Sequence, residues 1–152
     1  MKKIFTKLLV LLVAVASGMA LTGCGKDNPQ NNEPENAQDL IGKWKLVSYD
    51  VEYKNGNDVE KNTVPLLYSL IWEFTDDGKV IQTMEEEGEI DTATASYTFG
   101  NNIITTNDDG DVMQMVVKEL TSKKLVIEKS ESEIEDGIRY TITTTLTFEK
   151  MN

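Results

Sequence analysis

The 152-residue chain predicts an all-β domain, eight antiparallel strands in an up-and-down barrel, with a sandwich or an open sheet as the alternative. Three observations carry this. Apolar residues recur with period two far more often than with the helical period. Turn-forming clusters separate the alternating runs: TDDG at 75–78, GNN at 100–102, NDDGD at 107–111, TSKK at 121–124 and the Asp136-Gly137 pair. All three prolines lie outside those runs. Short links set sequence neighbours antiparallel, and closing such a meander removes its edge strands.

The chain ahead of the domain reads in two pieces. Residues 1–7 carry Lys2, Lys3 and Lys7 and no acid, residues 8–16 are unbroken apolar, and Ser17, Gly18 and Ala20 are small. That is the order of a secretory signal, and its apolar run falls well short of the about 20 residues a bilayer span needs. Leu21-Thr22-Gly23-Cys24 then resembles the lipobox of bacterial lipoproteins. The resemblance implies cleavage before Cys24 and diacylglycerol on its sulfur. A thiolate suits thioether formation, and a single cysteine excludes an intramolecular disulfide. With each buried methylene contributing about 0.8 kcal/mol, two or three acyl chains hold a protein on a bilayer without a span.

Residues 25–38 (GKDNPQNNEPENAQ) contain no large apolar side chain. They cannot offset the entropy of ordering and read as a disordered tether with a reach of about 20 Å. The expected organisation is a cleaved signal at 1–23, a lipidated tether at 24–38 and a barrel at 39–152. Gly25 after the lipid-bearing cysteine fits sorting to the outer membrane of a cell envelope, with periplasmic and surface display both open.

The strands follow in order. Residues 43–53 alternate, with a phase change near Leu46-Val47 that suggests a bulge. Leu70, Trp72 and Phe74 share a face; Val80, Gln82 and Met84 share the next; Ala93, Ala95, Tyr97 and Phe99 follow. Residues 103–106 form a short strand, then come Met113, Met115 and Val117, then Leu125 and Ile127. The last run is the clearest: Ile138, Tyr140, Ile142, Thr144, Leu146 and Phe148 on one face, Arg139 and four threonines on the other. Residues 54–68, with Pro65, are expected as one long connection.

Gly42-Lys43-Trp44 opens the first strand and resembles the G-x-W signature of lipocalins, whose Trp plugs the closed end of an eight-stranded barrel. WEFTDDGKV (72–80) and YTFGNNIIT (97–105) are similar to hairpins of bacterial lipocalin-like lipoproteins. The resemblance covers about residues 40–150 and implies a small-molecule-binding barrel. Lipocalins usually stack an Arg from the end of the last strand on that Trp. The one arginine here, Arg139, begins the last strand, so Lys150 is the residue expected in that role.

The chain has no histidine, which removes Ser-His and Cys-His nucleophile systems and His/Cys zinc sites. No two carboxylates stand out as an acid–base pair, so neither an enzyme nor a cofactor is expected. Residues 107–111 look like a calcium loop. Setting Gly110 at the invariant EF-hand glycine, however, places Thr105 and Val116 at the terminal ligand positions, where they fail. No metal site is expected there.

Large rings fill the lower half of the barrel, and any pocket belongs in the upper half. Its candidate lining is Gln82, Met84, Ala93, Ala95, Thr105 and Arg139. Losing residues 1–23 removes three lysines and no acid, which leaves 12 basic and 26 acidic side chains, a charge of −14 that excludes nucleic acid as a partner. An up-and-down path sends the links 85–91, 107–111 and 131–137 to the open end. There they gather Glu85, Glu86, Glu87, Glu89, Asp91, Asp108, Asp109, Asp111, Glu131, Glu133, Glu135 and Asp136. Such a mouth keeps the domain soluble. In the sharper reading it attracts a cationic or amphipathic small ligand, with Arg139 below the rim to orient an anionic end. The alternative is a protein-interaction module of the cell envelope with a filled barrel and no small ligand.

Overall fold

The computed structural model describes residues 37–56, 58–135 and 138–152. The expected signal, Cys24 and almost all of the tether lie outside them. A short helix, α1 (Ala37–Leu40), precedes nine strands: β1 (Gly42–Asn55), β2 (Asp58–Thr63), β3 (Ser69–Phe74), β4 (Lys79–Glu86), β5 (Glu89–Gly100), β6 (Ile103–Asp108), β7 (Asp111–Leu120), β8 (Lys124–Glu135) and β9 (Ile138–Lys150). All pairings are antiparallel, and β9 returns to β1, so β1 and β3 to β9 close an eight-stranded barrel.

Two features depart from expectation. The connection 54–68 is not one loop, because residues 58–63 fold back as β2 against the upper part of β1. All six residues of β2 are exposed, so the strand has no apolar alternation to reveal it. Several strands also run further than their apolar residues suggest. The β4–β5 and β6–β7 links shrink to two residues each, 87–88 and 109–110. Both residues of each link have positive φ: Glu87 53° and Gly88 84°, Asp109 49° and Gly110 101°. That is the backbone of a turn whose twist matches the strands it joins.

The expected bulge is present. The β1–β9 register shifts between Leu46 and Ser48, so Val47 is extra and the inward set changes from Trp44 and Leu46 to Tyr49, Val51 and Tyr53. The core fills the lower half. Trp72 packs on Phe148 at 5.2 Å between ring centroids and on Phe74 at 6.0 Å, and Phe74 meets Tyr97 edge-on at 5.0 Å. Trp44, Trp72, Phe74, Ile104, Leu125 and Phe148 are fully buried.

The floor is closed by α1. Leu40 is fully buried, and its carbonyl accepts a 2.7 Å hydrogen bond from Trp44 Nε1. Lys150 Nζ lies 4.9 Å from the Trp44 ring centroid and donates to Asp39 O at 3.0 Å. Gly42, at φ 126°, lets the Lys150 stem pass: a Cβ there would sit 3.0 Å from Lys150 Cε.

Closure weakens toward the other end. β1 pairs with β3 only over Gly42 to Lys45, and higher up the same edge of β1 takes β2 instead. The β7–β8 ladder stops at Val116↔Glu128, although β7 begins at Asp111 and β8 continues to Glu135. The upper half is therefore two arms, β2-β1-β9-β8 and β3-β4-β5-β6-β7, that join below.

Candidate ligand-binding site at the open end

The inward registers of the two arms border the upper interior of the barrel, the chamber above the aromatic floor. Of the expected lining residues, Gln82, Met84, Ala93 and Ala95 occupy the inner face. Gln82 pairs with Ala93 and Val80 with Ala95, in phase with the buried Val80 and Met84. Met84 is buried and the other three are half-buried.

Two expected lining residues do not reach the chamber. Thr105 pairs with Thr98 and Gln114, which are both exposed, and so lies on the outer face. Its neighbour Thr106, 5% exposed, holds the inner position. Arg139 is exposed and pairs with the exposed Ile134, on the outer face with the threonines of β9. Strand alternation sends it outward, so it cannot orient a ligand inside.

The topology brings the 87–88 and 109–110 links, the Glu135↔Ile138 end of the β8–β9 ladder and the Asn55↔Asp58 end of the β1–β2 ladder to one end. Most acids assigned to those links lie instead in the strands beside them. Strand alternation then divides them. Glu86 pairs with Glu89 and Asp91 with Met84, which places these three on the inner register. Glu131 and Glu133 pair with the half-buried Ile142 and Tyr140, in phase with the buried Leu125 and Ile127. Glu85 is exposed on the outer face, Glu87 and Asp109 sit at turn tips, and Asp108 pairs with Asp111 at the base of a turn. Glu135 ends β8 opposite Ile138, while Asp136 lies outside the described residues.

Lys129 holds Glu131 at 2.6 Å, a basic group among the inner acids. Two tyrosines join the chamber unannounced. Tyr49 is turned inward by the bulge, and burial pushes its phenol up, against a lowering hydrogen bond with Thr144. Tyr68, just before β3, is also raised, first by burial and then by Tyr49 and Glu86 nearby. Both remain neutral donors at physiological pH. The phase change at Leu46-Val47 was the signal that would have found Tyr49. Below them, the buried Trp72 Nε1–H has no acceptor among the described residues.

This arrangement offers an apolar floor, phenol donors and carboxylates at the rim. Among the described residues, no group of three or more His, Cys, Asp or Glu side chains could hold a metal ion. An open groove at the closed end, lined by Lys123, Lys124, Glu149 and Lys150 among others, is distinct from the chamber.

Comparison with known proteins identifies the class. The lipocalin-like domain model matches residues 40–127, more than half of the chain, which belongs to that family. Barrels of this kind are typically binding folds rather than catalytic ones. Curated protein sequences contain no match. Among solved structures, bovine odorant-binding protein with its natural ligand is similar at 17% identity, over 81% of this chain and 78% of that one, with a TM-score of 0.42. Its complex with undecanal gives the same values. A Nostoc punctiforme protein of unknown function is 15% identical over 79% of this chain and 51% of its own, with a TM-score of 0.37.

Proposed function

We propose that this protein is a lipid-anchored binder of small amphipathic cations, held on the outer membrane through Cys24 and receiving its ligand between the two arms. The observation that carries this is the inner wall itself. Glu86 and Asp91 are half-buried on inward register positions, beside Leu70 and Met84 and above Trp72. A cation placed beside carboxylates on a half-buried wall loses less of its attraction to solvent screening than it would at the open surface. An alkyl body suits the floor, where each buried methylene contributes about 0.8 kcal/mol. Family membership supports a small-molecule site, and the LTGC motif supports the anchor.

The test uses matched probes, a long-chain alkylammonium and the fatty acid of equal length. Titration of the Cys24→Ser chain, followed by tryptophan fluorescence, is expected to show the alkylammonium binding on the order of tenfold tighter, a difference worth about 1.4 kcal/mol. Equal affinity, or preference for the acid, overturns the reading. The anchor is tested apart: wild type is expected in the detergent phase with added lipid mass, and Cys24→Ser in the aqueous phase without it.

A further inference from the structure

We propose that the free edge of β8 at the upper seam is a docking site for an extended, basic segment of another protein, which adds to the sheet as a strand. The inference does not depend on the small-ligand reading.

The β7–β8 ladder runs from Leu120↔Leu125 to Val116↔Glu128 and ends there. Among the described residues, 111–115 pair only with β6, and 130–135 only with β9. Each therefore turns a row of backbone groups, without a strand partner among the described residues, toward the other. Such an edge is a template for a further strand.

The chemistry of the seam explains why it stays open. Continued in the same register, the ladder would set Met115 beside Lys129, Met113 beside Glu131 and Asp111 beside Glu133. The last pair opposes like charges, and all three would take ionisable groups of β8 into the barrel. Closure would then cost more than the added backbone hydrogen bonds return.

The same residues select the occupant. On the inner side of the seam stand Asp111 and Glu133, beside the Glu131 that Lys129 holds. On the outer side Val112 and Ile134 are 61% and 68% exposed, well beyond what a solvated wall requires. A strand that alternates basic and aliphatic residues matches both faces at once. A second copy of this chain would bring the same acids into opposition, and an anionic lipid surface would be repelled by them.

The probe is a synthetic peptide of alternating lysine and valine, offered to the lipidated full chain in neutral-lipid nanodiscs. Controls are an alternating glutamate–valine peptide and a lysine–valine peptide with proline at alternate sites. Residue-resolved amide exchange is expected to slow about tenfold or more within 130–135 for the first peptide alone, with affinity falling as salt rises. Ile134→Lys should weaken binding severalfold while tryptophan emission shows an unchanged core. Protection elsewhere, equal binding of the proline peptide, or no binding overturns the proposal. So does protection of the edge without peptide, whether from self-association or from anionic nanodiscs.

Discussion

Lys150 carries its ammonium 4.9 Å from the centroid of the Trp44 ring and bonds the Asp39 carbonyl at 3.0 Å, so the last residue of the barrel ties the first strand to the helix beneath it. The cation comes from a lysine because the chain's single arginine is spent at the other end of the same strand. Lysine gives a point charge, where a guanidinium would also stack.

Lys150→Ala should therefore destabilise the domain by about 1 kcal/mol, and Lys150→Arg should lose less or gain. Denaturant midpoints measure both. Gly42→Ala should cost about 1–3 kcal/mol, because φ 126° strains any side chain and the new Cβ meets Lys150 Cε. Adding Lys150→Ala should recover only the steric part, which a double-mutant cycle reads directly.

The two tryptophans predict an asymmetry. Trp44 Nε1 satisfies the carbonyl of the buried Leu40, whereas Trp72 Nε1 has no acceptor among the described residues. Trp44→Phe leaves a buried carbonyl unpaired, but Trp72→Phe removes a donor that was already orphaned. The first should cost about 1–3 kcal/mol more than the second, beyond the similar loss of ring area. Equal losses in urea unfolding would show that the Leu40 bond contributes nothing.

Alkaline pH should separate the tyrosines. Burial raises the phenols of Tyr49, Tyr68 and Tyr97 above 10.0; around Tyr97, Asp76 and Asp77 add to it. The folded state then holds these protons more tightly than the unfolded chain. Their contribution to stability is full below pH 10, the unfolded value, and is lost as pH rises through the folded values. Tyrosinate absorbance should show a late-titrating group, and the urea midpoint should decline only above that pH. Tyr97→Phe should flatten part of the decline while losing the 3.0 Å bond to the Thr75 carbonyl.

The barrel was legible because its lower half obeys one rule. Trp72, Phe74, Ile127 and Phe148 are apolar at every second position, and the turns between their strands use Gly, Asn and Asp. β2 was not, because a strand that lies over the rim with both faces in water has no hydrophobic period. Its one signal is Asn55-Gly56, a hairpin dipeptide, with Gly56 at φ 58°. The site was half legible. Ala93 and Gln82 follow from alternation, but Thr105 was assigned one position away from the inward Thr106. The acids were read as loop residues because charge is usually a loop property. Glu131 and Glu133 are strand residues with inward registers. The ladder ends at Val116↔Glu128, a limit on pairing between two distant segments that no local pattern records.

The most direct test of the account is a calorimetric titration of a long-chain alkylammonium into the Cys24→Ser chain and into the same chain carrying Glu86→Gln and Asp91→Asn. Both substitutions keep shape and remove charge from the inner wall. Affinity should fall on the order of tenfold to a hundredfold, as expected for charge-assisted contacts of about 1.5–3 kcal/mol, and the salt dependence should flatten with it. Unchanged affinity and unchanged salt dependence in the double variant would contradict the assignment of the chamber to a cationic amphiphile.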